Sequence, residues 1–139
     1  MADITVTSAQ VKALQDNGAL VRPYTAGGAI TIGYAVYIAA DGDVEHADGS
    51  AVGTAGAIGI AVESYDGETS VAAGDPVSVC VFGPVSGFSS ATPGGKAWVS
   101  DTAGRVASSA GDATIDHELG YFESASVLFV MPDPAGAGS

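Results

Sequence analysis

"AWVSDTAGRVAS", residues 97–108, holds two short apolar runs separated by a polar turn that contains a glycine. Runs this short, bounded by Asp, Ser, Thr and Gly, read as the two strands of a hairpin. Earlier in the chain "AVYIAADGDVEHA", residues 35–47, repeats the pattern. Tyr37-Ile38 aligns with Trp98-Val99 at an offset of 61 residues, and Gly59-Ile60-Ala61-Val62-Glu63-Ser64 resembles Gly120-Tyr121-Phe122-Glu123-Ser124 at the same offset. The drift is one residue where Asp41 to Val44 meets Asp101 to Val106. The repetition predicts two related β-units, about 30–64 and 94–124. The competing explanation is chance self-similarity in a chain rich in Ala, Gly and Val. A period of this length exceeds those of the common solenoids, so two units make a domain rather than an array.

Working outward, almost everything after Ala29 is β in character. Short apolar runs are punctuated by glycine, and Asp41-Gly42 and Asp66-Gly67 each predict a hairpin turn. Val77 to Phe82 and Val127 to Met131 are apolar at both parities, which places them in a barrel, a sandwich or a subunit interface. No stretch is long enough for a helical crossover, so a parallel α/β sheet is excluded. One short N-terminal helix is predicted over Ser8 to Asp16, capped by Ser8 or Thr7 and stopped at Asn17-Gly18. The expected fold class is mainly all-β. The expected organisation is an N-terminal arm and short helix over 1–25, a β domain over 26–131 and a flexible tail over 132–139.

The 139 residues carry 16 acids against 4 bases, a net charge of −12. Lys12, Arg22, Lys96 and Arg105 do not cluster, so no nucleic-acid partner is expected. The acidity fits a self-repelling exterior, and two lysines among so many acids also fit a high-salt host. No apolar run reaches the roughly 18–20 residues that span a bilayer, so no membrane partner is expected. "MADITVTSAQ" has neither a basic n-region nor an apolar h-region, which predicts no export signal. The lone Cys80, inside "PVSVCVFG", reads as a buried, inert thiol.

No catalytic constellation emerges, and the chain is read as a non-enzyme without cofactor. Gly53-Thr54-Ala55-Gly56 leads to a strand rather than a helix, so no phosphate would meet a helix N-terminus. No G-x-S-x-G string occurs, and Gly95-Lys96 lacks the rest of a P-loop. His46 and His117 stand among acids, in places that could be equivalent in the two units. Their spacing is not that of a metal site, so no metal is expected and both read as exposed loop or strand-edge residues. "DGDVEHAD" lacks the ligand order of a calcium loop. Tyr34, Tyr37 and Trp98 sit inside apolar runs and read as core or interface packing, as do Val79, Phe82 and Phe129.

The order of the motifs resembles a known family. Ala73-Gly74-Asp75-Pro76-Val77-Ser78-Val79 followed by Phe82-Gly83 is similar to the "aGd-x-V-x-V-x-x-x-G" strand of the head decoration, or capsid cement, proteins of tailed viruses, the class that includes the head decoration protein of phage lambda. Pro93-Gly94-Gly95 followed by Ala97-Trp98-Val99-Ser100 and a turn with Gly104 resembles the same group. The resemblance spans roughly Ala26 to Met131. It implies a small β-barrel or β-tulip-like domain, assembled as a homotrimer on the outer surface of an icosahedral capsid, where it stabilises contacts between major capsid subunits. It implies manufacture in the host cytoplasm, the major capsid protein as partner, and an N-terminal arm that adds a strand to the capsid. That arm would be Ala2, Asp3, Ile4, Thr5, Val6 and Thr7. The alternative is a β-sandwich binding module of a viral fibre or spike that recognises a glycan or host surface through exposed aromatics.

Overall fold

The computed structural model describes residues 3–50, 52–109 and 117–132. The first strands are β1 (Thr5–Val6), β2 (Lys12–Ala13), β3 (Leu20–Thr25) and β4 (Ile30–Thr31). Next come β5 (Ala35–Ile38), β6 (Val44–His46), β7 (Gly59–Ser64), β8 (Ser70–Val71) and the long β9 (Pro76–Ser86). The chain continues with β10 (Phe88–Ser89), β11 (Lys96–Val99), β12 (Val106–Ala107), β13 (Glu118–Phe122) and β14 (Val127–Val130). The fold is all-β, with the main sheet curled into an antiparallel half-barrel.

The order across that sheet is β12-β11-β13-β14-β9-β7-β5-β6. Each end is a hairpin, followed inward by the hairpin's other neighbour and then by β14 or β9. The offset of 61 seen in the sequence recurs in the pairing. Ala35 opposite Ile60 and Val36 opposite Gly59 become Lys96 opposite Tyr121 and Ala97 opposite Gly120. The hairpins match too, Ile38 facing Val44 as Val99 faces Val106. The one-residue drift is a turn one residue longer in the second hairpin.

Both edges of β9 are occupied along its length. β3 and β7 flank its first half, β14 and β2 its second. This explains a correction. In place of a helix over Ser8 to Asp16, the chain makes two single 3-10 turns, Ser8–Gln10 and Gln15–Asn17, with β2 between them. Thr7 provides no side-chain cap. A two-turn helix is marginal alone, and the edge of β9 offers Lys12 and Ala13 ladder hydrogen bonds opposite Ser86 and Val85. A second correction concerns Asp66-Gly67. The turn forms, with Asp66 Oδ1 accepting from Ser64 Oγ and Glu68 N. The strands on either side do not pair with each other, because β8 leaves to pair with β4.

Two apolar cores lie on opposite faces of the first unit. Ala35, Ile60 and Cys80 point into the larger, which also takes Ala97, Leu119, Phe122, Leu128 and Val130 from the second unit. Val36, Ala61 and Val79 point into the smaller, covered by Ile30, Ile32 and Val71 around the β4–β8 ribbon. Each large side chain fully buried in this way contributes about 1.5–3 kcal/mol.

The two ends of the sheet meet at the second hairpin's turn rather than through a continuous ladder. Gly104 N donates to Ala47 O at 2.7 Å, Ala35 N donates to Gly104 O at 2.8 Å, and Gly49 N donates to Ser100 O at 2.9 Å. Gly104 has φ +79, and a Cβ there would run into the Tyr34 ring, so only glycine fits this joint. The tail from residue 133 onward lies outside the described residues.

Candidate interaction surface

The residue equivalence between the units exposes one asymmetry. In the first unit Ile60 faces Cys80, and both are fully buried. The equivalent pair in the second unit is Tyr121 facing Phe129, and it lies on the outside. Tyr121 is 38 % exposed, while its inward neighbours Leu119 and Phe122 are buried. A register shift between Ala97 and Trp98 accommodates that spacing.

The exposed pair belongs to a wider strip. Phe129 stacks on Tyr121 with ring centroids 5.3 Å apart and meets Phe82 edge-on at 5.2 Å. Phe82, 42 % exposed, faces Leu20, 59 % exposed, on β3. Met131 is also exposed. At the other margin Lys96 bonds Glu118 at 3.1 Å and lies 5.8 Å from the Trp98 ring. The strip thus crosses β13, β14, β9 and β3. The rings hold one another in fixed offset-stacked and edge-to-face geometry before any partner arrives. Val127 to Met131, apolar at both parities, buries only Leu128 and Val130 completely. Its other face is apolar, with Val127 and Phe129 half-buried and Met131 exposed among the described residues.

The remaining interface residues named from the sequence are dispersed. Val79 is fully buried in the smaller core, and Tyr37 packs half-buried against the larger. Tyr34 is half-buried at the joint between the sheet ends, 4.9 Å from the His46 ring and beneath the Arg105 guanidinium. Trp98 is half-buried beside the strip. Phe82 and Phe129 come together on it. Sequence reasoning missed Leu20, Tyr121 and Met131, of which Tyr121 was recoverable from its alignment with Ile60.

Asp3 to Thr7 is docked on its own domain rather than held out as an arm, and Ala2 lies outside the described residues. Thr5 and Val6 pair with Ser89 and Phe88, Ile4 N donates to Val106 O, and Ser100 Oγ donates to Asp3 Oδ1 at 2.6 Å. Arg105 Nη2 donates to Ile4 O. A strand added elsewhere by this segment would first have to exchange these bonds.

The histidines are not equivalent: His46 has the expected strand-edge place, half-buried on the outermost strand, whereas His117 is not exposed, which corrects its reading. His46 ends β6, where its Nε2 accepts the Thr31 amide at 3.0 Å and burial lowers its pKa. His117 precedes β13, is fully buried, and its Nε2 lies 3.2 Å from Ala57 O. Cys80 is buried, and desolvation pushes its thiol pKa up. A groove of about 430 Å³ runs between β2 and the β7–β8 turn, with Val11, Val21, Ile32 and Val62 in its floor and Lys12, Glu63 and Glu68 at its rim. Neither histidine lines it. Among the described residues no three His, Cys, Asp or Glu side chains converge as a metal set, and no helix is long and apolar enough to cross a membrane. No protein-family model and no curated protein matches this chain.

Proposed function

We propose that this chain is a structural virion protein, not an enzyme, that decorates the outer surface of an icosahedral tailed-virus capsid as a homotrimer and stabilises contacts between major capsid subunits. The observation that carries the reading is the aromatic strip on the second unit. A face whose counterpart is buried in the same chain is apolar and, among the described residues, partly exposed, as assembly surfaces are. The motif order from Ala73 to Gly104 supports the same reading. So does the charge of −12, which disfavours a place against packaged DNA and suits the outer side of the shell.

The test is co-sedimentation with undecorated capsids, together with solution mass by light scattering at low and at molar salt. The reading expects saturable binding at stoichiometries in multiples of three and capsids that resist heating better once decorated. Absence of binding at micromolar protein, at both salts, overturns it.

The stacked, partly exposed Tyr121 and Phe129 rings also suit a second reading, the glycan- or host-binding module of a fibre or spike. That module would bind oligosaccharide through the rings. Tyrosine and tryptophan fluorescence that stays unchanged across a glycan panel excludes it.

A further inference from the structure

We infer that the occupant of the aromatic strip is a second copy of this chain, so that Phe129, Tyr121 and Phe82 face sister copies across the trimer axis rather than the capsid floor. The inference rests on the trimeric reading above and assigns its interface.

Charge gives the first reason. Two chains of net charge −12 repel wherever their acids approach. Half of the 16 acids fall between Asp41 and Asp75, in the first unit and its turns. Leu20, Phe82, Tyr121, Phe129 and Met131 form an uncharged centre, Glu118 at one margin is paired with Lys96, and the exposed Glu123 stands at the far end beside Val127. The centre of the strip is therefore uncharged, so identical chains meet there with their carboxylates kept to its ends.

Packing gives the second. The equivalent face of the first unit is covered by the inward face of the second, Ala97, Leu119, Leu128 and Val130. Its opposite face, the one a further inward-type contact would use, is already closed by the β4–β8 ribbon. A head-to-tail continuation of the internal packing is thus blocked. A second copy therefore meets this strip with its own, around a symmetry axis, which closes the assembly. Rings already ordered by mutual contact lose little conformational freedom on association.

The experiment compares the wild-type full chain with Phe129→Asp, Tyr121→Ser and, as a control, Tyr65→Asp in the β7–β8 turn, where Tyr65 is 65 % exposed. Light scattering across a dilution series reads the mass, and far-UV circular dichroism checks folding. A photo-crosslinking phenylalanine analogue placed at position 121 reports contacts without removing a ring.

The expected result is a wild-type trimer whose dissociation concentration rises about thirtyfold or more in Phe129→Asp and less in Tyr121→Ser. It should be unchanged in Tyr65→Asp, with copy-to-copy crosslinks from position 121. A trimer that withstands both strip substitutions while remaining folded, or that yields no crosslink, overturns the assigned interface and leaves the trimeric reading standing. A wild-type chain that is monomeric at every concentration and salt overturns the interface and the solution trimer together, while capsid binding is still judged by co-sedimentation. Should Phe129→Asp not fold, the crosslink and Tyr121→Ser decide.

Discussion

Gly59 and Gly120 occupy the same place in the two units, each pressed against the backbone of the neighbouring strand. A Cβ on Gly59 would be driven into the carbonyl oxygen of Cys80, and one on Gly120 into that of Phe129. The inter-strand approach at these points leaves no room for a side chain, in either half of the sheet.

Alanine at either position is expected to destabilise the domain by about 3 kcal/mol or more, because the obstacle is backbone and cannot rotate away. Gly42→Ala is the control. Its φ is +90 but nothing lies within 4 Å of the added atom, so only the cost of the left-handed conformation, about 1 kcal/mol, should appear. Gly59→Ala carries collision alone, Gly42→Ala strain alone and Gly120→Ala, at φ +141, both, so urea denaturation of the three variants separates collision from strain.

Inward and outward positions of the second unit should respond differently to truncation. Phe122 is fully buried and meets Phe88 edge-on at 5.8 Å. Phe122→Ala should cost about 3–5 kcal/mol. Phe129→Ala, measured on dilute monomer, should cost about 1 kcal/mol, the ring contacts with Tyr121 and Phe82. Equal losses would contradict the one-sided burial of this sheet.

His46 should make stability fall on mild acidification. Its Nε2 must be unprotonated to accept the Thr31 amide, and burial lowers its pKa below the ordinary 6.5. The Tyr34 ring lies tilted against it at 4.9 Å, with the Arg105 guanidinium over that Tyr34 ring and Gly104 of the same turn close by. In the unfolded chain His46 takes up its proton near pH 6.5; in the folded chain it does so at lower pH. The unfolded state therefore binds more protons in between, and stability declines as pH falls from about 6.5 toward the folded pKa, then levels off. The difference in denaturation midpoint between pH 7.5 and pH 5 should shrink in His46→Gln. An unchanged difference assigns the pH dependence to other groups.

Cys80 should be silent to thiol reagents in the native protein and react fully once the chain unfolds. The thiol is buried, and desolvation raises its pKa, so both access and thiolate fraction are low. A disulfide-exchange assay at pH 8 with and without denaturant measures this, and rapid native labelling would place Cys80 nearer the surface than its packing allows.

Much of this protein is local and therefore legible in the sequence. Alternation of apolar residues, the Asp41-Gly42 turn and the absence of a crossover helix determine an antiparallel all-β chain. The offset of 61 between Tyr37 and Trp98 anticipates the matching pairing registers. Period-2 patterning states which residues share a face. It does not state what lies over that face, because covering is a long-range event.

Tertiary structure decided the rest. Ser8 to Asp16 has a helical pattern, yet the vacant edge of β9 draws Lys12 and Ala13 into a strand, since ladder hydrogen bonds outweigh a marginal two-turn helix. His117 looks like an exposed residue among acids, and the segment around Ala57 buries it. Val77 to Phe82 and Val127 to Met131 are equally apolar on both parities. A second core is laid against Val77 and Val79 of the first, leaving only its end at Phe82 exposed, whereas the second presents Phe129 and Met131 outward. Residue pattern alone makes both faces of each run largely apolar, and which face stays exposed follows from how one unit packs against the other.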